Sequence, residues 1–216
     1  MDYRPPYTPL EILHVDDALL VLNKPSGLLS VPGRGEGKLD CLASRVQARY
    51  PEALTVHRLD MSTSGLIVMA RGPEMQRKLN ALFEGRQVEK RYVAIVAGQL
   101  AQEAGEIDLP MITDWPNRPR QMIDFERGKP SLTRYRVQAY DAEQDRSRVA
   151  LEPFTGRSHQ LRLHMHSIGH PILGDELYGT AETLAASPRL LLHAEWLQFP
   201  HPGTGETIAF CAPPPF

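Results

Sequence analysis

The stretch His57-Arg58-Leu59-Asp60-Met61-Ser62-Thr63-Ser64-Gly65-Leu66-Ile67-Val68-Met69-Ala70 holds two messages. Its second half, Gly65 to Ala70, is a short unbroken apolar run and predicts a buried strand. Its first half sets an arginine and a carboxylate two residues apart, ahead of small hydroxyl residues and a glycine. In an extended chain alternate side chains share a face, so Arg58 and Asp60 would point the same way. One carboxylate, with a cation beside it, would then stand at the mouth of a rigid element. The neighbouring arginine favours the ionised form of Asp60, which suits a nucleophile or a stabiliser of positive charge better than a general acid. On these residues alone, a plain Arg58–Asp60 ion pair at a strand end stays open as the other reading.

Outward from this run, the hydrophobic pattern predicts short elements. Leu10 to Asn23 holds two apolar runs split by Asp16-Asp17, a hairpin pattern. Gly27 to Lys38 is rich in glycine and proline and reads as a loop. Asp40 is the expected N-cap of a helix ending near Tyr50-Pro51, with Leu42 and Val46 inward and Arg45 and Arg49 on an outer stripe. Pro73 suits a first helical position, Met75, Leu79, Leu82 and Phe83 repeat at helical spacing, and Gly85 closes the helix. Val88 to Ala97 reads as a strand containing Tyr92. From Gly105 to Lys129 the pattern weakens around the proline-broken loop Trp115-Pro116-Asn117-Arg118-Pro119-Arg120. Ser131 to Tyr140 and Arg146 to Phe154 alternate like paired strands. Ser158 is the expected cap of a helix with Leu161, Met165 and Ile168 on one face and Gly169 at its end. Leu190 to Phe199 and Thr207 to Cys211 read as closing strands. Strands outnumber helices without regular alternation, which predicts an α+β fold: a mixed, mostly antiparallel sheet with flanking helices.

Gross properties remove several classes. With 216 residues and 42% apolar content the chain can bury a core as one domain or two small ones. No apolar stretch is long enough to span a membrane, and the polar, proline-rich start, Met1 to Pro9, is not a secretory signal. Cys41 and Cys211 suggest neither a disulfide framework nor a zinc site, so a cytoplasmic, reducing compartment is expected. His159, His164, His166 and His170 crowd one stretch without a cysteine or carboxylate set, so no metal is expected. The net charge of −2 gives no support to a nucleic-acid partner. Locally, however, Arg118, Arg120, Arg127, Lys129, Arg134 and Arg136 face only Asp124 and Glu126, and such a surface can hold RNA.

Four further motifs stand around the first stretch in order: Asn23-Lys24-Pro25-Ser26-Gly27-Leu28, Lys90-Arg91-Tyr92-Val93-Ala94, Gly156-Arg157-Ser158-His159-Gln160-Leu161-Arg162, and His170-Pro171-Ile172-Leu173-Gly174-Asp175. Together with His57 to Leu66 they closely resemble the RluA family of pseudouridine synthases, over most of the chain. The resemblance implies that Asp60 is essential. It implies that Tyr92 stacks on the flipped uracil and accepts the C5 proton; tyrosine suits this with its flat ring and polar tip, although a core tyrosine is the plainer reading of the residue alone. Arg162, one position past Leu161 and off the apolar stripe, would reach Asp60 and hold its charge. Arg58 would stack into the gap that the flipped base leaves. Arg157 is expected to meet phosphate near a helix N-terminus, Arg118 and Arg120 to contact RNA, and His57 to contact RNA or support the site without catalysing.

The implied organisation is a single catalytic domain over residues 1–216, with no room for the S4-type N-terminal domain of many relatives. The implied partner is RNA, and the nearest subfamily acts on both large-subunit ribosomal RNA and the tRNA anticodon stem-loop. The reaction is an isomerisation and needs no cofactor. No apolar helix face is plainly exposed, so a monomer is expected. Two other classes compete. A glycoside or nucleoside hydrolase needs two carboxylates flanking the bond, and no second carboxylate recurs in these motifs. An RNA-binding module without chemistry would not require the set Asp60, Tyr92 and Arg162.

Overall fold

The computed structural model describes residues 3–35 and 37–216. Met1, Asp2 and Glu36, which fall in the expected polar start and glycine-rich loop, lie outside the described residues. The chain forms two compact units, residues 1–90 with 193–215, and residues 91–192 with Phe216.

The first unit is built around β4 (Ser64–Arg71). Residues 64–70 are buried at every position, as an unbroken apolar run requires. One edge of β4 pairs antiparallel with β2 (Leu19–Lys24), and β2 pairs with β1 (Glu11–Val15) across the expected Asp16 turn. The other edge is shared. β3 (Ala53–Thr55) runs antiparallel along Met69 to Arg71, and β11 (Leu192–Pro200) runs parallel beside Ser64 and Gly65. The sheet is therefore mixed. Gly65 makes the parallel contact possible: its φ is +113°, and a Cβ there would collide with the Ala194 carbonyl oxygen. β12 (Thr207–Cys211) closes on β11.

Two helices accompany this sheet. α1 (Leu42–Gln47) buries Leu42 and Val46 as predicted, but its N-cap is Cys41 rather than Asp40. Ser44 closes a capping box with Cys41, and the Asp40 carboxylate turns instead to Arg45 at 2.6 Å. α2 (Pro73–Glu84) begins with Pro73 in its first turn, ends at Gly85 and buries Leu79 fully. That one side chain contributes about 1.5–3 kcal/mol.

In the second unit β5 (Glu89–Ala97) pairs with β10 (Arg146–Pro153), β10 with β9 (Leu132–Asp141), and β9 with β6 (Ala104–Asp108), all antiparallel. The weakly patterned stretch holds, besides β6, a separate hairpin of β7 (Met111–Thr113) and β8 (Gln121–Ile123). Its tip is the predicted Trp115 to Arg120 loop. α3 (Gln160–Ser167) lies against β9 and β10 and puts Leu161 and Met165 into a core with Ala94, Val96, Val149 and Leu151. Its N-cap is His159, in the left-handed region at φ 57°, and not Ser158. α4 (Ala181–Ala185) is a short capped turn. Tyr135 packs on this core, whereas Tyr140 is exposed at the surface and donates to Asp145.

Candidate active site

The aspartate loop is held from below by the first motif. Lys24 is fully buried, and its ammonium donates to the carbonyls of Pro25 (2.9 Å), Leu28 (2.8 Å) and Met61 (3.1 Å). A buried charge is tolerated only with such partners. Ser26 Oγ donates to the Ser62 carbonyl at 2.7 Å, and the Gly27 amide to the Met61 carbonyl at 2.8 Å. Ser30 Oγ donates to the Leu59 carbonyl and accepts from the Leu59 amide. Residues 59, 61 and 62 are thereby clamped on both sides of Asp60, and a turn bond from Thr63 N to the Asp60 carbonyl closes the loop. Asn23 to Leu28 is a structural brace, and its role is to fix where Asp60 stands. Leu59 is buried between an exposed Arg58 and a half-buried Asp60, the alternation expected of an extended segment.

His57 turns the chain into this loop. Beyond the last β3–β4 pair, Thr55 with Met69, the Val68 amide donates to His57 Nε2 at 2.9 Å. The imidazole takes the place of the next strand residue, and its ring stacks on Phe83 with centroids 4.6 Å apart. Burial, with the charge of Lys90 adding to it, pushes the imidazole down to about 3, so it is neutral. Further along, at the start of β4, Ser64 Oγ and His193 Nδ1 lie 2.8 Å apart, and His193 Nε2 donates to the Ala212 carbonyl.

In the second unit Tyr92 lies opposite Leu151 in the β5–β10 ladder, half-buried, its ring packed on the core cluster. The basic motif is organised by Gln160. Its amide donates to the Leu132 carbonyl and Thr133 Oγ1, and its Oε1 accepts from Thr155 Oγ1 and the Arg157 amide. This fixes the 156–157 turn and leaves the Arg157 side chain exposed. Arg162 is buried. Its Nε and Nη2 grip both oxygens of Asp175, at 2.8 and 2.6 Å. Such a two-point fork gives orientation as well as energy. Burial raises the Asp175 carboxyl, but the Arg162 guanidinium and the amides of Leu177 and Tyr178 together outweigh it and hold it below the usual carboxylate range.

Asp175 stands in the last sequence motif, yet nothing in its local pattern announces a partner in α3. Tyr178 carries no sequence signal at all. Of the four crowded histidines two meet Tyr178, His159 at its hydroxyl and His166 at its ring, while His164 bridges Thr133 and the Leu109 carbonyl and His170 meets the Ala97 carbonyl. The basic stretch also divides. Arg127 pairs with Asp124 and Arg134 with Glu106, whereas Arg118 stacks over Trp115 at 4.6 Å and Arg120 over Tyr178 at 5.4 Å, both exposed.

The chain matches the RNA pseudouridylate synthase family over residues 18–167. It is 52% identical, over all of its length and 98% of the relative's, to the dual-specificity RNA pseudouridine synthase RluA of Escherichia coli (strain K12). The Pasteurella multocida (strain Pm70) protein of the same description is 53% identical, over 100% of this chain and 99% of its own. Among solved structures, human RNA pseudouridylate synthase domain containing 1 superposes with a TM-score of 0.81 at 31% identity, covering 99% of this chain and 87% of that one. Human domain containing 4 gives 0.76 at 26% identity, covering 95% and 88%. With the α+β fold and the motifs in place, the chain belongs to the RluA family of RNA pseudouridine synthases, isomerases that act on RNA.

Proposed function

We propose that the enzyme converts specific uridines to pseudouridine in two RNAs, large-subunit ribosomal RNA and the tRNA anticodon stem-loop. The observation that carries the catalytic part is the clamped loop around Asp60, braced by Lys24, Ser26, Gly27 and Ser30. The substrate part is supported by whole-length identity of about half to two dual-specificity relatives. In the reaction the bond from C1′ to N1 of uracil breaks, the base turns, C1′ joins C5, and the C5 proton leaves while N1 gains one. Asp60 either attacks C1′ or assists loss of the 2′ proton to give a glycal; both routes need a fixed carboxylate. Tyr92 stacks on the flipped base and accepts the C5 proton, and Arg162 keeps Asp60 charged and oriented. Arg58 fills the space vacated in the RNA, while Arg157, Arg118 and Arg120 meet phosphates or bases, with His57 supporting the loop. The protein acts as a cytoplasmic monomer, its whole length serving as one catalytic domain without a cofactor.

The experiment is tritium release from C5-labelled uridine in two transcripts, an anticodon stem-loop and a large-subunit ribosomal RNA fragment. Release from both is expected. Release from one alone would reject the dual substrate and keep the isomerase, and free uracil in place of pseudouridine would favour a hydrolase.

A further inference from the structure

Tyr178 is almost fully buried, yet it touches the basic hairpin, the start of α3 and the Arg162–Asp175 pair. Its hydroxyl accepts from the Gln121 amide at 2.7 Å, at the base of the Trp115 to Arg120 tip. The same oxygen lies 2.9 Å from His159 Nδ1. One phenol can satisfy both, accepting the amide proton and donating its own to the imidazole. His159 occupies the left-handed region, where a residue with a Cβ is held only by its surroundings. As N-cap of α3 it makes no side-chain capping bond; its ring goes to Tyr178 instead. The Tyr178 ring lies 5.4 Å from the Arg120 guanidinium and 5.5 Å from that of Arg162. The Tyr178 amide in turn donates to Asp175 Oδ1, the oxygen that Arg162 Nη2 also grips. Gly174 sets the approach to this turn: its φ is +73°, and a Cβ there would collide with the Arg189 carbonyl oxygen.

We propose that Tyr178 is a positioning residue that ties RNA contact at the hairpin tip to the orientation of Arg162. An RNA group drawn to Arg120 pulls on the neighbouring Gln121, whose amide is fastened to the phenol. The phenol in turn holds His159 and the ring beneath Arg162. A correctly bound RNA therefore stiffens the arginine that the proposed mechanism sets behind Asp60, and a wrongly bound one does not. This coupling rests on the role given to Arg162 above.

The test is a double-mutant cycle in the intact enzyme, reading kcat and KM separately on the anticodon stem-loop. Tyr178→Phe keeps the ring and removes the hydroxyl. It is expected to lower kcat about tenfold, since small misplacement of a reacting group is costly, with KM little changed and the melting temperature lowered by a few degrees because the Gln121 amide loses its acceptor. Arg120→Gln is expected to lower kcat in the wild-type background but only to raise KM in Tyr178→Phe. Independent effects on kcat, or a normal kcat in Tyr178→Phe, would overturn the coupling. Should Tyr178→Phe fold poorly, His159→Gly removes the ring while fitting the backbone better; the same fall in kcat is expected, and an unchanged kcat would overturn the proposal. Arg162→Lys separates the two levels. Full kcat there would sink the role of Arg162 and the coupling with it, whereas an inactive Arg162→Lys beside independent Tyr178 and Arg120 effects would sink the coupling alone.

Discussion

At His57 the Nε2 lone pair is taken by the Val68 amide, so the ring's single proton sits on Nδ1. A second proton would sacrifice that bond in a buried place beside Lys90, and the pKa falls to about 3. The sign for stability follows from proton counts. Between pH 6.5 and 3 the unfolded chain binds a proton that the folded one refuses, so this contribution is complete above 6.5 and fades as pH falls. The slope is at most about 1.4 kcal/mol per pH unit. Proton NMR of the His57 ring should show no titration down to about pH 4, and a midpoint near 6.5 would contradict the assignment. In the sequence His57 is visible only as a neighbour of Asp60. Its true task depends on Val68 and Phe83, which are brought to it by strand pairing and the packing of α2. Lys24 is similar: its motif can be read, but its three carbonyl partners come from loops that only the fold supplies. Asp60 stands out in the sequence as the carboxylate of its motif, whereas the bonds that fix its loop do not.

Elements with a strong period are plain in the sequence. α2 and the β9–β10 pair follow from local pattern because apolar positions recur along them, and β4 follows from its unbroken apolar run. Helix starts are less plain. Ser158 and Asp40 are both good caps by composition, but Gln160 locks the turn before α3 and Arg45 draws Asp40 away, so the helices begin at His159 and Cys41. The β7–β8 hairpin escapes a reading by pattern because strands of three residues carry no period. At its tip stands Trp115, which is well exposed, beside Arg118 and Arg120. Such a surface suits unstacked bases and phosphates. Arg118→Gln with Arg120→Gln should weaken RNA binding and flatten its dependence on log salt by about 0.7–0.9 for each phosphate no longer neutralised. Filter binding across a salt series measures this, and an unchanged slope would remove the tip from the RNA interface.

For the whole molecule, a net charge of −2 gives no support to an RNA partner if taken alone. The structure shows why the bulk value misleads: many charges are consumed in local pairs, such as Arg45 with Asp40, Arg71 with Glu52 and Arg134 with Glu106. What remains for RNA is decided by position. The family can be read from motif order across the chain, and identity over its full length agrees. The most direct measurement is single-turnover pseudouridine formation by Asp60→Asn, with RNA affinity measured on the same preparation. Abolished isomerisation with affinity within about threefold of wild type is the predicted result, since the clamps on Leu59, Met61 and Ser62 do not use the Asp60 side chain and the phosphate contacts proposed above are assigned to other residues. Pseudouridine formed at the wild-type rate would contradict the assignment of Asp60 as the reacting carboxylate.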